Sequence, residues 1–190
     1  MKPVKSNQMK NRSLPNLLFP TLFLMALAAV SGCENEHSAD HMKQEIEQKR
    51  SEYQEIAEET KGSDEHLSVA QEMVNHYHAF TKHHPDHPDS PDYLYRAAMI
   101  QTETLGDFEG TLESLQQLVD TWPEHDRAPF ALFLIGYTAS EYMHDYDRAG
   151  EAYEQFLDQY PDHQMAESIA YEKEHLGRSP LEYDFWDNIE

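Results

Sequence analysis

"LFLIGYTASEYMHDYDRAGEAYEQFLDQYP", residues 132–161, carries two apolar stripes at helical spacing. Leu132, Ile135, Gly136 and Ala139 fall three and four apart, and so do Ala149, Tyr153 and Phe156, with a polar inner turn between the two sets. That is a pair of helices folded back on one another. The stretch also has a shadow in the chain before it. Pro161 follows Pro123 by 38 residues, and Pro123 follows Pro85 by 38 again; His87, His125 and His163 keep the same interval. The offset pairs Glu103 with Glu141, Asp107 with Asp145, Gln117 with Gln155 and Asp120 with Asp158, and it pairs Leu115 with Tyr153 and Leu118 with Phe156 by type. A fixed offset across that many positions marks an internal repeat of paired helices.

Outside the repeat the pattern remains helical. Met42, Ile46, Lys49, Tyr53, Ile56 and Thr60 form one stripe that ends at Gly62, with Ser63 and Asp64 offering the next N-cap. Leu67, Ala70, Val74, Tyr77 and Phe80 continue to about residue 82. After the loop "HHPDHPD" (83–89), Ser90 supplies a capping oxygen and Pro91 a proline at the first helical position, and that helix stops at Gly106. A helix over about 165–176 ends at Gly177. Ser179-Pro180-Leu181-Glu182 then reads as a capping box for a short helix whose Leu181, Phe185, Trp186 and Ile189 share one face and close the open end of the stack. No stretch alternates with period two for long enough to be a strand. The expected fold class is all-α: a solenoid of about three helix pairs on a 38-residue period plus a C-terminal capping helix pair, spanning residues 41–177 with the short capping helix at 178–190.

Residues 132–161 resemble a tetratricopeptide repeat, whose signature is W-x2-L-G-x2-Y, then A-x3-F, then P. Leu132 takes the Trp place, Ile135 and Gly136 the Leu-Gly, Ala139 the Tyr, Ala149 and Tyr153 the A-x3-F, and Pro161 the closing proline. Gly136 and Ala149 would allow close approach of the two helices, while Leu132, Ile135, Tyr153 and Phe156 fill the space between them. The preceding unit keeps Leu94, Ala97, Ala98, Leu115, Leu118 and Pro123 but has Thr111 where a small Ala is expected; the first unit shows only Met73, Tyr77, Phe80 and Pro85. The loops with "YPDH" and "WPEH" are similar to those of exported tetratricopeptide proteins of the bacterial envelope, namely the D subunit of the outer-membrane β-barrel assembly machine and the Tol-Pal coordinator. The resemblance implies a scaffold that holds a protein or peptide partner in the groove of its stacked pairs. Helical period places Tyr95, Met99, Thr102, Tyr137 and Glu141, all on first helices, as candidate groove residues.

The N-terminus reads as a targeting segment over 1–32. Lys2, Lys5, Lys10 and Arg12 precede any acid, an apolar run follows over 14–30 with Pro15 and Pro20 inside it, and the run closes on Val30-Ser31-Gly32-Cys33. This ending resembles the lipobox of bacterial lipoproteins, in which cleavage leaves a cysteine that receives lipid, palmitate among its acyl chains. Cys33 is the only cysteine of 190 residues, so no intramolecular disulfide can form, and acylation would remove a free thiol. Residues 33–40 then read as a flexible tether. An uncleaved anchor is the alternative, but the run is short of the ~20 residues a spanning helix needs.

Cleavage would remove four basic residues and no acid, leaving 10 Lys and Arg against 36 Asp and Glu, a formal charge of −26. Such a body repels phosphate backbones and anionic lipid headgroups, so nucleic acid is excluded as a partner and membrane attachment falls to the lipid. The expected location is the outer membrane of a diderm bacterium, facing the periplasm, with surface display left open by the acids soon after Cys33.

Catalysis needs a nucleophile with a base, or a carboxylate pair in a pocket. The sequence has no G-x-S-x-G, H-E-x-x-H or glycine-rich phosphate loop, so neither an enzyme nor a cofactor is expected. Twelve histidines raise a metal alternative, a periplasmic zinc- or nickel-binding lipoprotein using His83, His84 and His87. Against it, His87, His125 and His163 recur once per repeat in the order Pro-acid-His, which suits a turn element better than a ligand set.

Overall fold

Each helix of the chain starts where a short polar side chain or a proline sits and stops at a residue in the left-handed conformation or at a loop proline. The computed structural model describes residues 37–178, so the export signal over 1–32, Cys33 and the capping helix expected after residue 178 lie outside the described residues. The chain divides after Ser38, and the helices below belong to the unit that begins at Ala39. They are α1 (Ala39–Glu59), α2 (Asp64–His83), α3 (Ser90–Ile100), α4 (Phe108–Thr121), α5 (Ala128–Thr138), α6 (Tyr146–Gln159) and α7 (Ala166–Glu174), each packed on the next in chain order. There is no strand among the described residues, and the pairs α1–α2, α3–α4 and α5–α6 form a tetratricopeptide-like all-α array closed by α7.

The 38-residue offset is visible in the backbone. Both α3 and α5 run into a π-helical turn, Gln101–Leu105 and Ala139–Met143, and both turns close with a wide hydrogen bond, Asp107 N–H to Gln101 O at 2.9 Å and Asp145 N–H to Ala139 O at 2.9 Å. The extra residue of the inner turn is therefore absorbed by widening the last helical turn. Gly106 (φ 64°) ends the first of these turns, and His144 (φ 56°) ends the second in the same left-handed conformation. Asp107 and Asp145 then cap α4 and α6, their carboxylates accepting from Gly110 N–H at 3.0 Å and Arg148 N–H at 3.1 Å.

Two apolar clusters make the core, and α3 serves both. Its Tyr93 and Ala97 join Met42, Ile46, Met73, Val74 and Phe80 of the first pair. Its Leu94 and Ala98 join Leu112, Leu115, Leu118, Leu132, Tyr153, Phe156 and Ile169. Each of those leucines is at most 1% exposed and contributes roughly 1.5–3 kcal/mol of burial. The α1 stripe is buried at Met42 and Ile46, half-buried at Lys49, Tyr53 and Ile56, and exposed at Thr60.

Two local expectations are corrected. Leu67 is 37% exposed, because the buried face of α2 is centred on His66, Ala70, Met73, Tyr77 and Phe80 and leaves Leu67 at its margin. Ser90 does not cap α3: it is fully buried as the first helical residue, and its hydroxyl donates back to the His84 carbonyl at 2.6 Å, while Asp89 holds the cap position without a side-chain bond. Pro91 does stand in the first turn, and Ser63 does cap α2, accepting from His66 N–H at 3.1 Å.

Candidate functional site

The first helices of successive pairs leave a cleft of about 350 Å³ between α1, α2 and α3. On α3, burial of Leu94, Ala97 and Ala98 turns Tyr95, Arg96 and Met99 the other way, into the cleft. Arg50 and Tyr53 reach it from α1, Met73 and Tyr77 floor it from α2, and Arg127 enters from the turn before α5. The tyrosines are held by neighbours. Tyr53 O–H pairs with the Thr104 hydroxyl at 2.8 Å and its ring stacks on His66 at 5.4 Å; Tyr77 stacks on Tyr93 at 5.1 Å, and burial pushes the Tyr77 hydroxyl pKa up.

Three arginines and no carboxylate line this cleft. Arg127 donates through Nε to Asp92 at 2.9 Å and lies 4.5 Å above the Tyr95 ring, which fixes its plane. Arg50 pairs with Glu47 on its own helix. Arg96 is exposed and, among the described residues, forms no ion pair.

A larger cleft, about 610 Å³, opens between α4 and α6 and has the opposite character. Glu113, Asp120 and Glu151 line it, and its one cation, Arg148, is already bonded to Glu109 at 2.9 Å.

The candidate groove residues separate into three groups. Tyr95 and Met99 line the arginine cleft. Thr102 faces its own partner helix: its hydroxyl donates to Ala98 O at 3.0 Å and lies 2.9 Å from the Thr111 hydroxyl of α4. Tyr137 and Glu141 are exposed one repeat further on, where Tyr137 meets Phe133 and Tyr142 at 5.9 and 6.1 Å and Tyr142 stacks on Phe108 at 4.7 Å. Sequence reasoning passed over Arg50, Tyr53, Arg96 and Arg127. The usable signal was that Arg96 sits between Tyr95 and Met99 on the face opposite Leu94 and Ala98, in a chain where arginine is scarce.

The repeat-signature residues meet as pairs. Leu132, Ala149 and Phe156 are fully buried, with Ile135 and Tyr153 nearly so. Gly136 lies against the Tyr153 ring, where an added Cβ would overlap three ring atoms. Burial lifts the Tyr153 hydroxyl pKa to about 12. Pro85, Pro123 and Pro161 are exposed in the loops that end the second helices. Thr111, the residue that departed from the small-residue pattern, is fully buried with its hydroxyl donated to Asp107 O at 2.8 Å.

The histidines of the loops act on the backbone. His87, His125 and His163 accept through Nδ1 from the N–H two residues on, Asp89 at 3.1 Å, Arg127 at 3.2 Å and Met165 at 3.3 Å. His87 and His163 also set their rings edge-on to Phe80 and Phe156 at 5.1 and 5.5 Å. An Nδ1 used this way puts the proton on Nε2, where a ligand would need a lone pair. His84 packs its ring on Phe80 at 5.2 Å, and His83 is exposed. Among the described residues no group of three or more His, Cys, Asp or Glu side chains is placed to hold a metal.

One serine–histidine pair exists, and its geometry is structural. Ser114 is 2% exposed and donates to Gln101 Oε1 at 2.7 Å, so the contact with His78 Nε2 at 3.0 Å has His78 donating. Desolvation accordingly lowers the His78 pKa, with Glu113 and Asp107 opposing it. A hydroxyl that has given its proton to an amide and accepts from the imidazole is not poised as a nucleophile.

Residues 92–125 and 130–163 match the family model of the tetratricopeptide repeat. Comparison with the curated proteins returns no match. The two matched units begin 38 residues apart and cover α3–α4 and α5–α6, with α1–α2 preceding them. Repeats of this kind are protein-interaction scaffolds and are generally non-catalytic.

Proposed function

We propose that this protein is a lipid-anchored tetratricopeptide scaffold of the bacterial envelope, which holds a protein or peptide partner in the groove of its first helices. The observation that carries the binding half is the groove itself: an open cleft lined by tyrosines, methionines and arginines, bounded by the first helices of two successive pairs. Aromatic and arginine side chains concentrate binding energy at protein interfaces. The exposed aromatic run through Tyr137 and Tyr142 extends that surface by one repeat.

The anchoring half rests on Val30-Ser31-Gly32-Cys33, with the basic head and apolar run before it. Among the described residues no helix is long and apolar enough to cross a membrane, so attachment is assigned to acyl chains on Cys33. An outer-membrane position facing the periplasm, and a part in outer-membrane protein assembly or envelope maintenance, follow from the likeness of the loops to the envelope tetratricopeptide proteins.

A photo-crosslinking residue at Tyr137 in living cells tests the binding half, with capture of a defined envelope protein as the expected result. Recovery of nothing but the chain itself would overturn it. Lipid labelling of the wild type and its loss in Cys33→Ser, together with release from the membrane fraction, tests the anchor; an unlabelled wild type would overturn that.

A further inference from the structure

We infer that the arginine groove takes an acidic segment of the partner, lodging a carboxylate side chain on Arg96 and an adjacent aromatic or aliphatic side chain against Tyr77 and Tyr95. This deepens the scaffold reading and rests on it.

The charge distribution carries the argument. The chain has 36 acids against 14 bases, yet no acid lines this cleft, while Arg50, Arg96 and Arg127 converge on it. The cleft between α4 and α6 shows what this surface otherwise looks like, with three carboxylates and a neutralised arginine. A cation cluster in such a body is a specific landing place, because an acidic partner is repelled from the rest of the surface and attracted only here. A basic partner, by contrast, would be drawn to most of the surface without discrimination.

The arginines are also prepared for the task. Arg127 is fixed by Asp92 and by the Tyr95 ring and keeps its terminal nitrogens for another acceptor. Arg96 carries a full charge with no ion pair among the described residues. A guanidinium fork offers paired donors that fit a carboxylate. The volume of about 350 Å³ and the Met73 floor suit a side chain or two of an extended peptide rather than a folded surface.

Residues 181–190 of this chain, "LEYDFWDNIE", carry the same chemistry, four acids with Tyr183, Phe185 and Trp186. They are the competing occupant, and the test must distinguish them from a partner.

The full chain is titrated with three fluorescein-labelled probe peptides of equal length: glutamates flanking a phenylalanine, and the same peptide with glutamine or with lysine in their place. The acidic probe is expected to bind, and Arg96→Gln to weaken it about tenfold or more, the scale of a lost charge-assisted hydrogen bond. Arg96→Lys should recover part of the loss, added salt should weaken binding, and the melting curve of either variant should match the wild type, since Arg96 is exposed. Equal binding of the glutamine or lysine probe, no binding of the acidic one, or indifference to Arg96→Gln overturns the inference. A crosslinker at Met99 that captures an acidic stretch of a partner supports it; one that captures only residues 181–190 of the chain itself overturns it. If Tyr137 captures a partner while the acidic probe ignores the groove, the scaffold reading stands and this inference falls; if neither Met99 nor Tyr137 captures anything, both fall.

Discussion

Replacing Gly136 by Ala puts one methyl group where the α5–α6 pair has no room. The new Cβ would sit 2.8 Å from Tyr153 Cζ and closer still to Cε1 and Cδ1. Carbon atoms in contact stand about 3.5–4.0 Å apart, so the helices must part or the ring must swing out. Neither is cheap, because Tyr153 is 2% exposed and Phe156, one turn on, is fully buried. Overpacking of this kind costs roughly 1–3 kcal/mol, and Gly→Ala inside a helix returns about 1 kcal/mol. The expected net loss is about 1–2 kcal/mol, lowering Tm by about 2–4 °C per kcal/mol for a chain of this size. One repeat earlier the same positions hold Ala98 and Leu115, both fully buried, so the chain already contains the compensated pair. Gly136→Ala with Tyr153→Leu should therefore be more stable than the sum of the single changes by about 1 kcal/mol or more. Urea and thermal unfolding followed by circular dichroism give all four corners of the cycle. A single Gly136→Ala as stable as the wild type, or additive effects in the double variant, would refute the close-approach argument.

The His78 pKa is depressed in the fold, so the unfolded chain takes up the proton first as pH falls. That stability is full above the unfolded value of about 6.5 and declines as pH drops through it toward the folded value; Tm measured from pH 7.5 down to 5 should fall less in His78→Gln. Ser114→Ala leaves Gln101 Oε1 and the His78 N–H without the hydroxyl between them and should cost about 1–3 kcal/mol by urea unfolding, most of it recovered when Gln101→Ala removes one orphan. His144→Gly matches Gly106 and relieves a side chain held at φ 56°, for an expected gain of about 0.5–1 kcal/mol in the same assay. His125→Ala loses the acceptor for Arg127 N–H and should cost about 1 kcal/mol. Calorimetric titration with zinc should show no heat in either His125→Ala or the wild type, and a saturable heat would reinstate the metal alternative.

The repeat was legible because prolines, caps and small residues act on the backbone at fixed positions. Pro85, Pro123 and Pro161 with their histidines end the second helices, and Asp107 and Asp145 start the next ones, whatever else surrounds them. The extra residue of the inner turn could be counted, but its form as a π turn could not, since that depends on how Gln101 and Ala139 close against Asp107 and Asp145. The Ser90 cap failed for a related reason: Ser-Pro signals a helix start, but only the folded loop brings the His84 carbonyl within reach of that hydroxyl. Period alone assigned Tyr95, Met99 and Thr102 to one face. It does not say what lies across from that face, and α4 brings Thr111 within hydrogen-bonding distance of Thr102. The arginines were missed because Arg50, Arg96 and Arg127 come from three separate elements, and a cluster assembled that way leaves no local spacing to read.

The two matched repeats share a backbone and differ inside it. In α3–α4 the buried Gln101 bonds both Ser114 and Asp107, Thr102 and Thr111 share a hydroxyl contact, and Gly110 leaves the space that the Gln101 amide occupies. One period later those positions are Ala139, Ala152, Ser140, Ala149 and Arg148, so the amide is gone, the small-residue site can carry an arginine, and the pair is held instead by Tyr153 against Gly136. A polar network in which each donor has its acceptor fixes one register of the helices, where apolar packing tolerates several. His78 extends that network to α2, so the first and second pairs are locked to each other through Ser114. The arginine groove is built on those same helices, α2 and α3, and guanidinium recognition of a carboxylate depends on fixed donor positions. The polar interior therefore lies under the part of the array where register matters most, and the apolar pair lies where the exposed surface is an aromatic run that can bind without it.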